Sequence, residues 1–151
     1  MYNGKGVTLI ELLCIIAILG VLSAIAIPEI VSTIDKWVLD STAKEIVEDI
    51  RWTQHLATTK GIYHHFEVNL KENLYRIRSI ALRDPTIKRV EFNPNISEIT
   101  CTFKSEGDFK RLTFSPTGIP SQTGSITLTS KKGNELTITV AVGTGRVEIK
   151  S

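Results

Sequence analysis

Between Glu11 and Glu29 no residue of the chain carries a charge, and this stretch constrains the fold more than any other. A helix rises about 1.5 Å per residue, so residues 12–28 cover about 25 Å, close to the roughly 30 Å hydrocarbon core of a bilayer. In lipid a backbone must satisfy its own hydrogen bonds, which a helix does and an irregular segment does not. Residues 7–28 are therefore expected to form a transmembrane helix. The six residues before it, Met1-Tyr2-Asn3-Gly4-Lys5-Gly6, are polar, rich in glycine and weakly positive, and read as a separable leader.

Beyond Pro28 the pattern changes period. Ile34, Val38, Ala43, Ile46, Val47, Ile50 and Ala57 recur at steps of three and four, with Asp35, Lys36, Asp40, Lys44, Glu48 and Asp49 between them. This spacing predicts an amphipathic helix over residues 29–60, continuous with the first. Gly61 after Lys60 supplies the stop, because glycine accepts positive φ and the lysine suits the negative helix end. Pro28 lacks an amide hydrogen and crowds the preceding turn, so a kink is expected there.

After Gly61 most segments alternate with period two and are rich in Ile, Val, Thr and Phe: residues 62–69, 74–80, 97–104, 111–115, 125–130, 135–142 and 146–150. Turn chemistry separates them, including Asn93-Pro94-Asn95, Lys132-Gly133-Asn134 and the short Gly143-Thr144-Gly145 segment. One antiparallel sheet over residues 61–151 is expected, its apolar face covering the stripe of the helix. The fold class is α+β, with one soluble domain on an anchor, as 151 residues allow. Residues 61–151 hold thirteen Lys or Arg against nine acids, a mildly basic surface.

Glu11 sits inside the apolar segment, where an ionised carboxylate costs on the order of 2.5 kcal/mol or more unless it is compensated. Cutting the chain between Gly6 and Val7 would create an α-amino group on Val7 about one helical turn away. Pairing of that amine with Glu11, in the same chain or a staggered neighbour, would neutralise both groups and select one axial register between helices.

Gly6-Val7-Thr8-Leu9-Ile10-Glu11 resembles the type III signal sequence of type IV pilins and type II secretion pseudopilins. The resemblance implies the pilin fold, cleavage after Gly6 by a prepilin peptidase, N-methylation of Val7 and a docking role for Glu11. It also implies a kinking proline at Pro28. Val7 departs from the phenylalanine most common at that place. More loosely, Phe114 to Gly118 and the terminal Gly145-Arg146-Val147 are similar to segments of the H-type (GspH/FimT-like) minor pseudopilins. No cofactor is implied. The implied partners are other pilins or pseudopilins, the prepilin peptidase, and an inner-membrane assembly platform with its ATPase. The implied place is the cytoplasmic membrane, single-pass, with the sheet domain outside the cytoplasm and incorporation at or near a filament tip.

The same residues admit other readings. A Sec signal peptide cut after Ala26 would leave a soluble exported domain, but Glu11 and the helical pattern past Pro28 oppose it. DNA binding by the sheet domain, as in a DNA-uptake pilus, would draw on Arg76, Arg78, Arg83, Lys88, Arg89, Lys110, Arg111, Lys131 and Lys132. No catalytic constellation is found. His55, His64 and His65 read as surface histidines, the last two pointing to opposite faces of a strand. Glu48 and Asp49 read as a solvated helix face. Trp37 and Trp52 read as packing or interfacial anchors. Cys14 and Cys101 lie in different parts and are not expected to pair, Cys101 reading as a small core residue.

Overall fold

The computed structural model describes residues 7–81, 86–143 and 145–150, with the backbone alone at residues 25–28. A single helix, α1 (Leu9–Lys60), runs for 52 residues and stops at Gly61, whose φ of 64° is the left-handed conformation the sequence predicts there. The chain divides into two compact units, residues 1–34 and 35–151. The expected kink falls on residues 25–28, outside the description beyond their place in α1.

In the first unit, α1 begins with a cap. The Thr8 hydroxyl accepts a hydrogen bond from the Glu11 amide at 3.3 Å, and the Thr8 carbonyl accepts one from the Leu12 amide at 3.1 Å. Thr8 is thus the N-cap residue and Glu11 stands at N3, with the N-cap hydroxyl bond formed between them. Leu9, Ile10, Leu12, Leu13, Ile15, Ile16, Ile18, Leu19, Val21 and Leu22 are all exposed, so every side of this half-helix is apolar and uncovered by its own chain.

The second unit holds nine strands: β1 (His64–Asn69), β2 (Leu74–Ser79), β3 (Thr86–Glu91), β4 (Ile96–Cys101), β5 (Ser105–Glu106), β6 (Phe109–Phe114), β7 (Gly124–Ser130), β8 (Glu135–Val140) and β9 (Val147–Lys150). They form two antiparallel sheets, not the one expected: a five-stranded sheet in the order β3-β2-β1-β6-β5 and a four-stranded sheet in the order β4-β7-β8-β9. The division arises because β4 pairs with β7 and not with its sequence neighbour β3. One core joins all three parts. Leu39, Ala43, Ile46, Val47, Ile50 and Ala57 of α1 pack with Phe66, Val68, Tyr75, Ile77, Leu112 and Phe114 of one sheet and Ile126, Leu128, Ile138, Val140 and Val147 of the other. The helical stripe is as the period predicts, except that Ile34 is exposed.

Candidate functional site

The helix of the second unit is pinned to the sheets at three levels. At its start, Asp35 accepts hydrogen bonds from Ser130 Oγ at 2.6 Å and Asn134 Nδ2 at 3.0 Å, which clasp the β7–β8 turn to α1. The Ser130 bond is the main cause of a carboxyl held below its usual range. At its middle, Asp49 is buried and not on a solvated face as its neighbour Glu48 suggests. It accepts the Tyr75 hydroxyl at 2.6 Å and the Lys88 ammonium at 2.8 and 2.7 Å. Burial, then the carboxylate beside it, raises the Tyr75 pKa well above the usual range, so the phenol keeps its proton and donates.

Near its end, Gln54 donates from Nε2 to the Gly118 carbonyl at 2.8 Å. Gly118 and Gly145 both have positive φ, 78° and 62°, and both press on this helix. A Cβ on Gly118 would come within 2.9 Å of Thr58 Cγ2, and one on Gly145 would overlap Gln54 Nε2. The two glycine-bearing segments picked out by their family resemblance therefore meet at one place. Only glycine satisfies both the backbone conformation and the close approach there.

The outer face of the five-stranded sheet carries the densest charge. Glu67 on β1 is fully buried, yet it accepts Arg76 Nε at 2.7 Å and Arg111 Nε at 2.6 Å from the flanking strands, with Arg78 at 3.8 Å. Burial pushes its pKa up, but the two guanidinium hydrogen bonds outweigh that and hold it below the usual carboxylate range. Arg111 also pairs with Glu106, and Arg76 stacks 3.6 Å above the Phe109 ring.

Of the basic residues nominated for DNA contact, Arg76, Arg78, Arg89 and Arg111 share this sheet face, but Arg76 and Arg111 are engaged by Glu67, and Arg89 lies 3.6 Å from Glu72. Lys88 turns to Asp49, and Lys110 follows the opposite direction to Arg111 along β6. Lys131 and Lys132 belong to the turn of the other sheet, and Arg83 lies outside the described residues. The nine thus do not converge on one patch among the described residues.

His64 corrects the expectation of surface histidines. It is fully buried, its Nδ1 donating to the Ile62 carbonyl at 3.0 Å, because it lies on the inner face of β1 with Phe66 and Val68. His65 takes the outer face and shares a 2.9 Å hydrogen bond with Thr113, while His55 is exposed. Cys101 is buried, and burial pushes its thiol up to about 11. Trp37 and Trp52 are exposed, at 69% and 38%, so neither is a core residue. Among the described residues no group of His, Cys, Asp and Glu is arranged to hold a metal ion.

At the N-terminal end, Gly6 lies outside the described residues, Val7 is exposed just before the helix, and Glu11 occupies the first turn. The fold is the pilin and pseudopilin fold, a long N-terminal helix packed on antiparallel sheets. The family model for the prokaryotic N-terminal methylation motif matches residues 1–27. In fold, the chain is similar to the minor pseudopilin EpsH of the Vibrio cholerae type 2 secretion system, with 8% identity, TM-score 0.61, and coverage of 75% of this chain and 96% of that one. It is likewise similar to the type IV minor pilin FimU of Pseudomonas aeruginosa, with 14% identity, TM-score 0.59, and coverage of 75% and 88%. Comparison with curated protein sequences gives no match.

Proposed function

We propose that this chain is a minor pilin or pseudopilin, a structural subunit of a type II secretion pseudopilus or a type IV pilus-like filament. One observation carries the reading: a helix that is apolar and exposed on every side starts at the Thr8 cap, with Glu11 in its first turn, inside a prepilin-type methylation motif. Such a helix is stable only when lipid or other helices cover it. The precursor waits in the cytoplasmic membrane as a single-pass protein with its sheet domain outside the cytoplasm. A prepilin peptidase cuts after Gly6 and the new amino group of Val7 is methylated.

Glu11 then has two tasks. In the chain itself it favours the positive helix start, where a carboxylate contributes roughly 0.3–1 kcal/mol at an exposed site. In the filament it docks against the Val7 amine of a neighbouring subunit, and the low dielectric there makes a misplaced register costly. The apolar stripe supplies lateral packing, and the sheet domain is presented at or near the tip. An assembly platform and its ATPase supply the motion.

Replacement of Glu11 with Ala tests this assignment. The variant is expected to insert in the membrane at the wild-type level yet to lose most co-purification with partner pilins. Unchanged co-purification would rule out the docking role.

A further inference from the structure

The outer face of the five-stranded sheet changes character at the end where β1 begins and β2 stops. Beyond the pair His64 and Ser79 the ladder runs on by one more pair, with the Ile80 amide donating to the Tyr63 carbonyl at 3.1 Å. Strand alternation puts both side chains on the outer face, opposite to the buried His64 and Ser79, and beside each other across the strands. Tyr63 is 47% exposed and Ile80 58%, so an aromatic ring and a branched aliphatic chain stand together in the open. Neither belongs to the core.

Arg78 lies two residues before Ile80 on the same face, roughly 7 Å away, and is the register partner of His65. Within the Glu67 cluster it is the guanidinium that lacks a hydrogen bond among the described residues. The Glu67 oxygens accept from Arg76 and Arg111, Arg78 Nη1 stays 3.8 Å from Glu67, and Arg78 Nε is enclosed with no acceptor. A donor held this way bears the cost of lost water without a bond in return. Its charge is left over as well. Arg76, Arg78 and Arg111 face two carboxylates, Glu67 and Glu106, while Arg89 is matched by Glu72. His65 adds no charge, because burial and then Arg111 lower its pKa. One positive charge is surplus, enough for one carboxylate and too little for a polyanion. With 29% of its side chain exposed, Arg78 is within reach of a partner.

An exposed apolar pair bordering a partly dehydrated arginine has the composition of an interface centre, where Tyr and Arg anchor and apolar neighbours exclude water. We propose that this end of the outer sheet face docks the soluble domain of a different filament subunit, which lays apolar side chains over Tyr63 and Ile80 and gives a carboxylate to Arg78. This rests on the subunit reading above and adds which face meets the partner. Docking removes water from Tyr63 and Ile80 and supplies the acceptor that Arg78 lacks. The two gains reinforce each other, since a charged pair is stronger where water is excluded.

Photo-crosslinking in the native membrane tests this, with the full mature chain carrying a benzophenone side chain in place of Ile80. The expected result is an adduct with a different protein that itself bears a prepilin-type start, the cross-linked peptide lying in its soluble domain and containing an Asp or Glu. Arg78→Gln is expected to lower the adduct about tenfold, and Arg78→Lys to keep most of it. Arg78→Glu combined with replacement of the partner's acidic residue by Arg is expected to restore the adduct, which a misfolded domain would not do. An adduct with nucleic acid or with a second copy of this chain overturns the proposal. So does an adduct indifferent to Arg78→Gln, or a loss that the charge exchange does not restore. Co-purification with pilin subunits without an adduct at position 80 overturns the surface alone. Absence of co-purification overturns the subunit reading and the surface with it.

Discussion

Glu67 shows how a single side chain can order a sheet face. Its two oxygens each take one guanidinium Nε, from strands on either side, so one carboxylate sets the relative positions of β2, β1 and β6. Glu67→Gln leaves Arg76 without its charged acceptor and Arg111 with Glu106 alone. Because both arginines remain partly exposed, the loss is expected to be about 2–3 kcal/mol, below the 3–5 kcal/mol of a fully buried pair. The sign of the pH dependence follows from the folded carboxyl titrating below its ordinary 4.5. Its stabilisation is present above pH 4.5 and lost as pH falls through the lower folded value. Denaturant unfolding of the full chain in detergent should show stability falling below pH 4.5 in the wild type and a flatter profile in the variant. Gly145 offers a second test. Gly145→Ala is expected to cost about 1–3 kcal/mol from its positive φ and the overlap with Gln54. Adding Gln54→Ala should recover the part due to overlap and none of the part due to φ, which a double-mutant cycle reads directly.

At the scale of elements, the helix and its end are legible because their determinants are local: the uncharged apolar run, the three–four period and the stop at Gly61. Ile50 lies at the centre of the stripe and is fully buried against both sheets, so Ile50→Ala is expected to cost about 2–5 kcal/mol in the same unfolding measurement. The sheets are less legible because strand partners are chosen over long separations. β3 is absent from the alternation pattern since it is an edge strand, with Lys88, Arg89 and Glu91 among its six residues and little of it buried. Asp49 reads as solvated for the same reason. The residues that bury it, Tyr75 and Lys88, are 26 and 39 positions away, and nothing within a helical turn announces them. His64 is recognisable only once β1 is known to turn it inward. The cap at Thr8 likewise goes unread in the sequence, though its bond to the Glu11 amide spans only four consecutive residues. The Asp35 clasp is an element-level contact with a test of its own. Asp35→Ala should speed amide exchange in the β7–β8 turn, at Gly133 and Asn134, while the central strand β1 keeps its protection.

For the whole molecule, the two ends answer different needs. In the first unit residues 9–22 are apolar and exposed on all sides, and the helix begins at the Thr8 cap with Glu11 in its first turn, an arrangement suited to lipid or to other helices. The second holds one core between a helix and two sheets, with its charges largely paired on the outer sheet face, so it folds around its own residues. We propose that a cut after Gly6 leaves the first unit as the anchor and frees the Val7 amine for Glu11 to meet. Mass spectrometry of the intact mature protein from its native membrane tests this most directly. A chain beginning at methylated Val7 is the expected result, and a chain beginning at Ile27, or one retaining Met1, would contradict the account.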